Sequence, residues 1–147
     1  FSEEAISCKN KHLQKLYSYL LNNYSESIKM HKVDEDDRIT ILVKTGEFKN
    51  RTQKVDVSII NTDVLGDLVI ISSHVGRLEE PEKLLEVFKA TSNMFLVRII
   101  LHENNALMVL AERKLSTCTT EEFELIVSNV ANYADGMENI LFDWDLI

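Results

Sequence analysis

Two periods run through the apolar positions of this chain. Leu13, Leu16, Tyr17, Leu20, Leu21 and Tyr24 recur at i, i+3, i+4, i+7 and i+8, the spacing of one helix face. Asn22, Asn23 and Ser25 suit the end of that helix. A strand-rich region follows. Ile28, Met30 and Val33 form a first strand, and Asp34 to Asp37 reads as a solvated turn. Ile39, Ile41 and Val43 alternate with polar residues, as do Val55, Val57 and Ile59, which predicts strands with one buried face. After turns at Asn61-Thr62-Asp63 and Gly66-Asp67, the run LVIISSHV (Leu68 to Val75) is a further strand. Glu79-Glu80-Pro81 opens a second helix, because Pro loses nothing in the first turn and acids favour the positive helix end. Leu84, Leu85, Phe88 and Thr91 are its expected inner face, and Ser92-Asn93 its end.

The stretch FLVRIILHENNALMVLAERKL (Phe95 to Leu115) reads as a hairpin turning at Asn104-Asn105, since Asn tolerates the positive φ of tight hairpins. Thr119 and Glu122 make a capping box for a long last helix. Its stripe is Phe123, Ile126, Val127, Val130, Ala131, Ala134, Met137, Ile140 and Leu141. The fold class is therefore α+β: a mostly antiparallel sheet of five or six strands with three helices, in the order α-β-β-β-α-β-β-α, forming one domain over residues 1–147.

Several strands are apolar at almost every position, so both sheet faces need cover. Ile39, Ile41, Val43, Val55, Val57, Ile59, Val69, Ile71, Val97, Ile99 and Leu101 form one face, which two long helices can cover. The other face is expected to carry Leu68, Ile70, Leu96, Arg98, Ile100, Leu107 and Val109 as an interaction surface, left open unless the middle helix covers it. A slip of one residue in pairing would exchange the two sets.

Composition narrows the functional classes. A chain of 147 residues with 45% hydrophobic and 27% charged residues builds its own core and is not disordered. Acidic residues outnumber basic ones, 24 to 16, giving a formal net charge of -8. That argues against nucleic acid and against an anionic membrane surface as partners. The apolar runs are strand-sized, too short to span a bilayer, and no signal peptide is legible. Cys8 and Cys118 stand far apart without a CxxC pair, as suits free thiols in a reducing cytoplasm.

No constellation for catalysis emerges. His12, His31, His74 and His102 do not cluster, and Asp34 to Asp37 lacks the Gly and later Glu of a calcium loop. His102 beside Glu103 reads as a hairpin shoulder, and Cys118 before the Thr119 cap as a quiet structural thiol. There is no P-loop, dinucleotide glycine pattern or nucleophile elbow. Lys44, Lys49, Arg51 and Lys54 form a small basic loop. No cofactor or metal is implied.

From Leu78 to Leu141 the chain resembles the YbjN-like family and the type III secretion chaperones. The resemblance rests on the helix LLEVFKATSN ending at Asn93, the hairpin quoted above, and the closing helix TTEEFELIVSNVANYADGMENIL. It implies a small, acidic, cytoplasmic, non-enzymatic protein, homodimeric, that binds extended segments of other proteins along apolar surfaces of sheet and helix. It supplies no site residue. The alternative expectation is a regulatory domain sensing a small molecule held between helices and sheet.

Overall fold

The computed structural model describes residues 8–24, 28–32, 37–46 and 51–142. Asp34, Glu35, Asp36, Val33 and Lys49 of the sequence reading lie outside the described residues. In chain order the elements are α1 (Lys11–Tyr24), β1 (Ile28–Lys32), β2 (Ile39–Thr45), β3 (Arg51–Thr62), β4 (Gly66–Arg77), α2 (Pro81–Thr91), β5 (Arg98–Leu101), β6 (Ala106–Lys114) and α3 (Thr120–Phe142). The strands form one six-stranded sheet in the order β1-β2-β3-β4-β6-β5. Every neighbouring pair is antiparallel. The α+β class holds, with four strands ahead of α2 once β1 is counted.

The core lies between one sheet face and the helices α1 and α3. Ile39, Ile41, Val43, Val55, Val57, Val69 and Ile71 all point into it, as their alternation predicts, and Ile59 packs against it half-buried. The α3 stripe from Phe123 to Met137 is buried throughout. Ala131 and Ala134 are fully covered, so α3 approaches the strands closely. Tyr17 of α1 meets Phe123 of α3 edge to face, with ring centres 5.8 Å apart.

Capping residues fix the helix ends. The N–H of Glu122 donates to Thr119 Oγ1 at 3.1 Å, so the expected cap of α3 forms. At α1, the Leu13 N–H donates to Asn10 Oδ1 at 3.0 Å. Asp37 adds a second clamp there: its two carboxylate oxygens accept the Lys9 and Asn10 N–H groups at 2.8 and 2.9 Å. Asp37 is only 4% exposed, which corrects its reading as part of a solvated turn. Its φ of 63° aims the carboxylate at donors that would otherwise lack partners at the helix start.

Two further expectations are corrected by the packing. In α2, Val87 is the buried residue, while Leu84, Leu85 and Phe88 face outward, the last two 62% and 64% exposed. The helix docks beside α3, not across the sheet, and needs only a narrow contact to do so. The second correction concerns the β5–β6 hairpin. Its loop is not a two-residue turn. His102 N–H donates to the Ala106 carbonyl and Asn105 N–H to the His102 carbonyl, both at 2.9 Å, with Asn105 at φ 63°. This is the three-residue loop closed by a left-handed residue. It pairs Leu101 with Leu107 and Ile99 with Val109, one residue away from the two-residue alternative.

Candidate protein-binding surfaces

That register decides which side chains meet on the outer sheet face. Leu107 and Val109, expected there, turn inward and are 2% and 0% exposed. Met108 and Leu110 take their places. Ile100 lies opposite Met108, and Arg98 opposite Leu110. Across β4, Met108 faces His74 and Leu110 faces Ser72. Further along, Leu68 pairs with Ile60 and Ile70 with Ser58. Leu68 and Ile100 are half-buried, Ile70 nearly buried and Arg98 exposed. Leu96 leaves the sheet altogether: it precedes β5 with φ 70°, and its carbonyl accepts a bond from Arg113.

The outer face therefore joins four of the expected residues, Leu68, Ile70, Arg98 and Ile100, with Ile60, Met108 and Leu110. It is not uniformly apolar. Arg98 and Glu112 form an ion pair on it, and Lys54, Asp56 and His74 share the face by strand alternation. Such a pattern suits a surface that is wet part of the time: apolar side chains offer area and the polar ones set orientation. At the β5 end, Leu96, Val97, Leu110 and Ala111, with Arg98, Glu112 and Arg113, line a shallow crevice of about 290 Å³. Sequence reasoning missed Met108 and Leu110 because it placed the turn one residue off.

The second apolar surface is the outward strip of α2. Leu84, Leu85 and Phe88 stay accessible, and the following loop adds Phe95 and Leu96. The loop is held in place. Phe95 N–H donates to the Tyr133 hydroxyl at 3.1 Å, and the Asn129 amide donates to the Phe95 carbonyl at 3.3 Å. The helical spacing was legible in the sequence; the direction it faces was not.

The polar candidates settle into structural roles. Arg51 leaves the expected basic loop and pairs with Asp135 of α3, Nε to Oδ1 at 2.9 Å and a terminal nitrogen to Oδ2 at 2.7 Å. Beside it, the Gln53 amide donates to Ser73 Oγ and Glu138 Oε1, each at 2.9 Å. Burial chiefly pushes the Glu138 carboxyl above its ordinary range; the Asp135 charge adds to this, while the Gln53 bond and the Arg51 charge oppose it. This seam pins the second half of α3 to β3 and β4. Cys118 is buried, and burial first, then Glu122, push its thiol up to about 11. That is the reverse of an activated thiolate. His12 Nε2 donates to the Cys118 carbonyl at 2.8 Å. Among the described residues no three His, Cys, Asp or Glu side chains gather as metal ligands. A polar groove of about 610 Å³ opens between the start of α1 and the ends of β2–β4, lined by Lys9, Asn10, Asp37, Arg38, Ser58, Ile59, Asn61 and Asp67. No helix among the described residues is long and apolar enough to cross a membrane.

No family model matches the sequence, and no curated protein matches it significantly. Solved structures do. The chain is similar to the Yersinia pestis type III secretion chaperone SycH, solved in complex with a stable fragment of YscM2. The identity is 12% and the TM-score 0.56, over 86% of this chain and 98% of that one. It is also similar to a chain of the heterodimeric ExoU–SpcU complex from the type III secretion system of Pseudomonas aeruginosa. There the identity is 8% and the TM-score 0.58, over 86% of this chain and 97% of that one. The chain has the fold of type III secretion chaperones.

Proposed function

We propose that this chain, having the secretion-chaperone fold, is a non-enzymatic, chaperone-like binding module that works in the cytoplasm as a homodimer and holds an extended segment of another protein. The observation that carries this reading is the outer sheet face around Ile70, Ile100, Met108 and Leu110, which stands on the side of the sheet opposite α1 and α3. Both structural neighbours come from complexes with another protein, which supports the reading. Binding would draw on about 25 cal/mol per Å² of apolar area, less the cost of ordering the segment. Capture from the native cytoplasm, followed by identification of the bound segments, tests it. Wild-type protein should retain a segment that Met108→Asp and Leu110→Asp lose while their melting temperatures hold. Equal capture by all three would refute the assignment of this face.

The groove lined by Asp37, Arg38 and Asn61 supports a second reading, a regulatory domain sensing a small polar molecule. A thermal-shift screen separates the two. Several degrees of stabilisation by one metabolite would favour the sensor.

A further inference from the structure

The outer sheet face differs in charge from the molecule that carries it. By strand alternation, β2 to β6 place Lys44, Lys54, Arg77, Arg98 and Lys114 on this face against the acids Asp56 and Glu112. The chain as a whole has a net charge of -8. Both acids already have partners. Asp56 Oδ1 accepts the Thr40 hydroxyl at 3.0 Å, and Glu112 pairs with Arg98. Lys44, Lys54 and Lys114 are exposed and make no ion pair among the described residues. The face is thus a basic and apolar surface on an acidic protein, and its surplus positive charge lies beside the apolar row, not within it.

We infer that the extended segment held on this face is an acidic one, with carboxylates seated over Lys54 and Lys44 and apolar side chains over Met108, Leu110 and Ile100. This rests on the binding reading above and states the chemistry of the partner. Register supplies the spacing. Leu42 lies opposite Lys54, His74 opposite Met108, and Met108 opposite Ile100. Alternation sets Lys54 beside His74, so these residues form one row across the strands. Neighbouring strands are ~4.8 Å apart, which puts Lys54 and Met108 about 10 Å apart, or about three residues of an extended chain. An acid in the segment and its apolar anchor should therefore be about three residues apart. The apolar contacts supply area, while the lysines attract the acid and fix the direction in which the segment lies. Other occupants fit less well. A second copy docked face to face about a two-fold axis would set the bases against one another. A nucleic acid would find no Phe, Tyr or Trp on β2 to β6 for its bases to stack on.

Fluorescence anisotropy on the full chain tests this with two synthetic peptides. One repeats Glu-Ser-Glu-Leu-Ser-Leu twice, and the other has Lys in place of each Glu. At low salt, wild type should bind the acidic peptide about tenfold more tightly than the basic one, and the preference should shrink as salt screens the charges. Lys54→Glu should weaken the acidic peptide about three- to tenfold and tighten the basic one, with an unchanged melting temperature, since Lys54 is exposed. Lys44→Glu gives a second, independent reading of the same effect. Binding of neither peptide overturns the inference, as does equal binding of both, indifference to both charge variants, or tighter binding of single-stranded oligothymidylate. Equal binding of both peptides that Met108→Asp abolishes would sink the acidic assignment and leave the sheet-face reading standing. Acidic preference that Lys54→Glu reverses and Met108→Asp leaves untouched would do the opposite.

Discussion

Asp135 is a buried carboxylate on the inner side of α3, and Arg51 meets it with two bonds. Arg51 keeps part of its side chain in water, whereas Asp135 does not. The two partners should therefore respond differently to loss of the other. Arg51→Met strands the buried acid and is predicted to cost about 3 kcal/mol in urea melts. Asp135→Asn leaves an arginine that can rehydrate, and should cost less. Glu138, next along α3, gives a prediction in pH. Its carboxyl holds its proton more tightly in the folded chain than its ordinary value of 4.5 allows, chiefly through burial. The folded state thus binds more protons than the unfolded one. The stability it contributes is complete below about 4.5 and is lost as pH rises through the folded value. Glu138→Gln keeps an oxygen for the Gln53 amide and removes the ionisation. Melting temperatures from pH 4.5 to neutrality should fall less in the variant than in wild type. Equal slopes would refute burial as the source of the shift.

Hairpin register is the feature on which the element scale turns. Asn105 at φ 63° sets a three-residue loop, and the loop sets which of Met108 and Val109 faces inward. Asn105→Val puts a branched side chain in the left-handed region and should cost about 1–2 kcal/mol by chemical denaturation. Val109→Asp buries a charge in the core and should unfold a domain whose whole stability is about 5–15 kcal/mol. Met108→Asp should leave the fold intact. The reverse ranking would mean that the register is wrong. These elements also show where sequence reading ran out. The strands β2 to β4 were legible because their alternation has a single register compatible with a buried face. The α3 stripe was legible because it is long and capped. The hairpin was not, because β5 and β6 are apolar on both sides, so either register satisfies the pattern. For α2, spacing revealed an apolar stripe but could not say that a contact through Val87, with Ala90 half-buried beside it, would seat the helix. Asp37 was missed because its partners, the Lys9 and Asn10 N–H groups, are far away in sequence.

Among the described residues, α1 and α3 cover one sheet face and no helix covers the other. The helix α2 sits beside α3 and turns its leucines and Phe88 away from the core. The proposed binding module would use the open sheet face to hold a segment of another protein. The net charge of -8 keeps these surfaces from associating indiscriminately. The most direct test is calorimetric titration of the captured segment, as a synthetic peptide, into the wild-type chain and into Met108→Asp. Burial of apolar area on the sheet predicts saturable binding to wild type with a negative heat-capacity change, and loss of that binding in the variant. Binding of equal strength to both proteins, or a heat-capacity change near zero, would contradict the account.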